Sequence, residues 1–218
     1  MNGRNSIAIP LLILLAATIC CPTTLAYDNE IRKLINEANL TKEIVLNLRK
    51  EFVAKGAPSV SSYLKEADDF IEKANRSLQL SKRCYEEGER AKALSYVKEA
   101  MSLYSKALEY MVKAAEKVGI KMSYVRWSVG TREDLKVAYE VARRYLNKLK
   151  AIYEAVKRGR SLSPRLTSAI DEIMSGVTSL LDSGLESLQE GDLEGARAII
   201  NLVYDMLPLI YGMITKPR

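Results

Sequence analysis

Glu86-Glu87-Gly88-Glu89 and Gln189-Glu190-Gly191-Asp192 are near copies of each other, set 103 residues apart, and this pair decides how the chain reads. At the same offset Gly56 falls on Gly159 and Ala93 on Ala196. The apolar positions follow: Ile71 with Met174, Ala74 with Val177, Leu78 with Leu181, Tyr85 with Leu188, Val97 with Ile200 and Tyr104 with Leu207. Glycine at matched helix ends has a physical cause, because the residue after a helix often takes a left-handed backbone that only glycine adopts without strain. Convergence would have to strike one register at two separate turns and along the apolar positions between them, so the offset reads as a duplication.

Each copy reads as three helices. The first is expected from about Asn29 to Lys55, with Ile31, Leu34, Ala38, Val45, Leu48 and Phe52 on one face, and Gly56-Ala57-Pro58-Ser59 breaks it. The second carries Val60, Leu64, Ala67, Ile71, Ala74, Leu78 and Tyr85 at alternating spacings of three and four. The third carries Leu94, Val97, Met101, Tyr104, Leu108, Met111 and Ala115. It also holds alanines at every seventh position, Ala93, Ala100, Ala107 and Ala114, small enough to let a neighbouring helix approach closely. In the second copy Thr131 and Asp134 suggest a variant capping box, followed by Ala138, Val141, Tyr145, Leu149, Ile152 and Val156 facing inward. Gly159 ends that helix, Ser163-Pro164 caps the next, and Asp192 caps the last, which Pro208 is expected to kink or end. Sustained spacing of this kind predicts an all-α fold. Six long helices form two duplicated three-helix units in an antiparallel bundle, either as one six-helix bundle or as two three-helix bundles in series.

The spacing of Gly88, Ala93 and Ala100 resembles part of the tetratricopeptide repeat, in which small residues follow a turn glycine at similar intervals. Gly191, Ala196 and Val203 follow it more loosely. Tetratricopeptide helices are short and repeat about every 34 residues, so the resemblance implies a shared way of closing a helix pair, and no function comes with it.

Residues 1–26 differ from the rest. Arg4 precedes an apolar run from Ile7 to Cys21, and Thr24 and Ala26 resemble a cleavage site before Tyr27. The run is short for a spanning helix, which needs about 20 residues, so the leading expectation is a removed signal peptide, with a retained N-terminal anchor as the alternative. Arg4 before the segment and Asp28 and Glu30 after it place the body outside the cytoplasm in either case. The organisation expected is thus a signal or anchor over 1–26, a three-helix unit over 27–118, a connection over 119–130 and a second unit over 131–218. Losing the segment would leave Cys84 as the sole cysteine, on an apolar helix face, with no internal disulfide to form.

Composition narrows the chemistry. Histidine is absent from the 218 residues, which removes the commonest metal ligand and the usual general base at neutral pH. No phosphate-binding glycine loop, C-x-x-C pair or G-x-S-x-G elbow occurs, so neither enzyme activity nor a metal or cofactor is expected. Two features invite a partner. Lys136, Arg143, Lys150 and Lys157 repeat every seven residues, a basic stripe that would attract lipid headgroups or acidic glycan unless it is simply a solvated face. The connection holds Tyr124, Arg126 and Trp127, the only tryptophan, either as a recognition surface or as a plug between the units. Two glycosylation sequons begin at Asn39 and Asn75, both inside expected helices. The expectation is a non-enzymatic extracytoplasmic protein that engages a protein or envelope component, with the membrane a partner through residues 7–26 if these are kept. The alternative is a binding protein for a small or anionic ligand, seated between the units or on helix 131–160. Export disfavours nucleic acid as a partner.

Overall fold

The computed structural model describes residues 8–53, 60–120, 130–159 and 162–215, with side chains from Tyr27 to Glu51 in the first of these stretches. Among the described residues there are six helices and no strands: α1 (Ala8–Val53), α2 (Ser61–Glu86), α3 (Arg90–Lys117), α4 (Arg132–Gly159), α5 (Pro164–Glu190) and α6 (Leu193–Thr215). Gly56, Pro58, Arg160 and the Tyr124, Arg126 and Trp127 cluster lie outside the described residues, as do the side chains of Phe52 and the apolar segment.

The α2–α3 and α5–α6 turns match bond for bond. Glu89 N donates to Cys84 O at 2.8 Å and Asp192 N to Ser187 O at 2.9 Å. Arg90 N donates to Gly88 O at 2.9 Å and Leu193 N to Gly191 O at 3.0 Å. Ala93 N donates to Glu89 O at 3.0 Å and Ala196 N to Asp192 O at 3.1 Å. Gly88 and Gly191 both hold the left-handed backbone these closures require, with φ of 80° and 90°. The caps read from sequence are present. Thr131 and Asp134 bond reciprocally, Asp134 N to Thr131 Oγ1 at 3.2 Å and Thr131 N to Asp134 Oδ2 at 2.9 Å. Ser163 Oγ accepts from Leu166 N at 3.3 Å, and Asp192 Oδ1 accepts from Gly195 N at 2.9 Å.

Within the first half α2 lies along α3. Ser81 Oγ donates to Ala93 O at 2.8 Å, Ser77 Oγ to Glu99 Oε2 at 3.0 Å and Tyr104 Oη to Asn75 Oδ1 at 2.7 Å, and Phe70 stacks on Tyr110 at 5.5 Å. In each half the third helix touches both others, and the halves meet where α3 packs on α6 and α1 on α5 and α6. The four alanines of α3 are fully or almost fully buried, as their spacing predicts. The interior is continuous, and among the described residues the acids buried in it are Glu37 and Asp205.

Three expectations need correction. α1 starts at Ala8 rather than near Asn29, and carries through Pro22, because no glycine between residues 5 and 55 supplies a stop. α6 does not end at Pro208 but continues to Thr215 with Pro208 buried. On α4, Tyr145 and Ile152 are 41% and 37% exposed rather than inward. The inward set is Leu135, Ala138, Tyr139, Ala142, Leu146, Leu149 and Tyr153. The reason is where the neighbours lie: among the described residues α4 packs on α5 and α6, which cover the Leu135, Ala142 and Leu149 side of its wide apolar arc and leave Tyr145 and Ile152 at the uncovered edge.

α6 is long and apolar enough to cross a membrane, with a mean hydropathy of 1.5, yet 78% of that window is buried inside the protein. That burial is the mark of a core helix.

Candidate functional site

A cleft of about 380 Å³ opens between α1, α3 and α6, so residues from both halves of the chain line it. Its floor is apolar, from Leu34, Met101, Ile199 and Leu202, and its rim is charged. Glu30 and Glu37 come from α1, Glu109 from α3, Asp192 and Glu194 from the start of α6, against Lys98 and Lys106 from α3. Carboxylates therefore outnumber cations.

Glu37 is the unusual member. Its side chain is only 5% exposed. Oε1 accepts a hydrogen bond from the Ser183 hydroxyl of α5, while the buried Oε2 has no hydrogen-bond partner. Lys33, one turn earlier on α1, is held by Glu186 at 3.0 Å and Glu190 at 3.1 Å. Burial pushes the Glu37 carboxyl above its ordinary value; the Ser183 hydroxyl and Lys33 pull it down, and Asp192 and Glu186 push it further up. The remaining rim charges are more ordinarily placed. Glu194 lies 3.8 Å from Lys98, Glu109 pairs with Lys113 at 3.0 Å, and the Lys106 ammonium sits 5.7 Å from the Phe70 ring.

The Glu37 geometry fixes a pH dependence of stability. A carboxyl whose folded pKa is raised holds its proton more tightly in the folded chain than in the unfolded one. Its contribution is therefore full below the ordinary value of 4.5 and is lost as pH climbs through the folded value. Glu37→Gln, which keeps an acceptor for Ser183 and removes the charge, is expected to raise the denaturation midpoint at pH 7.5 and to leave it near wild type at pH 4. Urea titrations at the two pH values check this, and an equal effect at both would remove the assignment.

The basic stripe lies on the flank of α4 that borders α5. Arg143 pairs with Asp182, and Lys150 donates to Thr178 Oγ1 at 3.3 Å. Lys157 sits 3.6 Å from Glu154 and over the Tyr153 ring, and Lys136 is exposed. Three of the four are thus engaged within the chain. The opposite flank of α4 exposes Val137, Tyr145 and Ile152, with Lys148 5.7 Å from the Tyr145 ring. At the sequons, Asn39 Nδ2 donates to Ile35 O at 2.8 Å and Asn75 Oδ1 accepts from Tyr104, so both side-chain amides are in use. Among the described residues no group of three or more acids or cysteines could hold a metal ion, and Cys84 is buried and free.

Sequence reasoning missed Glu37. Its position between Asn36 and Ala38 reads as the edge of a polar face, and its burial arises from α5 and α6, which lie far along the chain. No family model, curated protein or solved structure matches this chain.

Proposed function

We propose that the chain is an exported, non-enzymatic binding protein with its ligand site in the cleft between α1, α3 and α6. The observation that carries this reading is Glu37: a buried carboxylate with one unpartnered oxygen, lining a cleft that both halves of the chain build. Unsatisfied buried polar atoms cost free energy, and a cleft of this size lies in the range of small-ligand sites. The body is two copies of one three-helix unit in a single antiparallel bundle. The bond-for-bond match of the two turns and the central place of the third helix in each half support that architecture. On this reading the site exists only because the copies pack together.

Address follows from residues 7–26. The unbroken α1 supports a retained anchor over a removed signal, since 19 helical residues from Ala8 to Ala26 would span about 28 Å, close to the hydrocarbon thickness. The body would then stand outside the cytoplasm. The intact mass of the protein extracted from membranes decides between the two, because cleavage after Ala26 removes the segment.

The ligand reading is tested by thermal unfolding of the full chain in detergent against a panel of cationic, neutral and anionic small molecules. A saturable rise in Tm is expected for at least one class. Ser102→Trp, which sets an indole into the cleft from an exposed position on α3, is expected to abolish it. A rise that survives Ser102→Trp, or none with any compound, would sink the reading.

A protein or envelope partner remains the second reading, favoured by the exposed Val137, Tyr145 and Ile152 on α4 beside Arg144 and Lys148. Co-purification of an envelope protein that Tyr145→Glu abolishes would support it, and unchanged co-purification would count against it.

A further inference from the structure

We propose that the cleft between α1, α3 and α6 takes a linear aliphatic polyamine, with Glu37 as its buried anchor. The inference rests on the ligand reading above and adds the chemical class. Three features of the cleft converge on it.

The first is charge. Five carboxylates line the cleft against two lysines; with Glu109 paired to Lys113 and Glu194 to Lys98, Glu30, Glu37 and Asp192 stand against Lys106, so an anion would meet net repulsion and a cation net attraction. The start of α6 opens on the same space, and a helix N-terminus by itself favours anions. Here that positive end is already answered by its own residues: Asp192 accepts from Gly195 N at 2.9 Å, and Glu194 follows in the first turn.

The second is the spread of that charge. A metal ion needs several oxygens converging on one point at about 2.0–2.6 Å, and among the described residues no acids gather in that way. The carboxylates are distributed instead over three helices around an apolar floor of Leu34, Met101, Ile199 and Leu202. An extended molecule with ammonium groups separated by methylenes matches both parts. Its charged ends pair with carboxylates, and its CH₂ groups cover the apolar floor, burial worth about 0.8 kcal/mol per CH₂ in general terms.

The third is Glu37. Ser183 occupies Oε1, the neighbouring Lys33 is committed to Glu186 and Glu190, and Oε2 is buried without a donor. An ammonium group brings three donors and one positive charge, which supplies the missing hydrogen bond and the missing counter-charge together. A neutral ligand would supply only the first of these.

Titration calorimetry of the full chain with spermidine tests the proposal, with magnesium chloride at matched ionic strength as the point-cation control. Saturable spermidine binding is expected, weakened about tenfold or more by Glu37→Gln, the loss of one charge-assisted hydrogen bond. Magnesium is expected to give no saturable heat and to displace spermidine only through ionic strength. Glu37→Gln removes a buried charge and is expected to keep the fold, which circular dichroism verifies; Glu109→Gln serves as a second, half-buried variant with a smaller loss. Equal affinity in wild type and Glu37→Gln, or magnesium displacing spermidine stoichiometrically, would overturn the proposal. If spermidine fails while a neutral or anionic compound raises Tm in a manner that Ser102→Trp abolishes, the polyamine assignment falls and the cleft reading stands. If no compound binds, both fall.

Discussion

Gly184→Ala is expected to destabilise the protein by about 2–3 kcal/mol, although alanine is the better helix former by about 1 kcal/mol. A Cβ at this position of α5 would overlap Oη of Tyr139 on α4 and lie 2.6 Å from its Cζ. Tyr139 is 1% exposed, and its hydroxyl donates to Ala196 O at 2.6 Å, so the ring has no solvent to retreat into. Displacing it costs the hydrogen bond as well as the packing. For a chain of this length the loss corresponds to a fall in Tm of roughly 5–10 °C, read by circular dichroism. A Tm within about 1 °C of wild type would show that the ring can move freely.

The same site offers a sharper check. At the offset of 103 residues Gly184 corresponds to Ser81, and Ala196 to Ala93. In the first half the Ser81 hydroxyl reaches the Ala93 carbonyl directly; in the second, glycine leaves the room for Tyr139 to reach the Ala196 carbonyl. Two different side chains serve equivalent carbonyls. Gly184→Ser combined with Tyr139→Leu is therefore expected to be less damaging than the sum of the single changes, because the new hydroxyl can take over the bond and the clash is gone.

Tyr104→Ala is expected to cost about 3–5 kcal/mol, the range for emptying a large aromatic site. Tyr104 is fully buried on α3, the helix that packs on α1, α2 and α6. Its hydroxyl donates to Asn75 Oδ1 at 2.7 Å, and burial raises the phenol pKa, so it stays a neutral donor. Tyr104→Phe removes only that bond and is expected to cost about 1 kcal/mol. Tyr104→Leu copies the residue found at the equivalent position, Leu207, which is also buried, and is expected to fall between the two. Chemical denaturation midpoints should follow Phe, Leu, Ala in order of increasing loss. An alanine variant as stable as the phenylalanine one would mean that the site collapses around the void.

Much of the architecture was legible from residue spacing. Heptad alanines on α3 marked a buried seam, the Thr131–Asp134 pair and Ser163-Pro164 marked helix starts, and Gly88 and Gly191 marked the turns. Each of these is a local statement, enforced by backbone geometry within a few residues. Inward and outward faces were legible only where a helix has neighbours on every apolar side. Leu64, Ala67 and Ile71 of α2 are buried as read, while Tyr145 and Ile152 of α4 are not, because an apolar arc states what could be covered and not where the neighbouring helices come to lie.

By itself, then, the sequence determined the helices, their caps and the paired turns, since these depend on 3.6-residue periodicity and on left-handed glycines. The tertiary structure alone decided the cleft and the state of Glu37. Glu37 lies on a helix met by α5 and α6 from more than a hundred residues away. Burial, the Ser183 hydroxyl and the unpartnered oxygen all arise from that meeting, and no pattern within α1 encodes it. The matched turns at Gly88 and Gly191 fix how each half closes, and the cleft belongs to the junction between the halves.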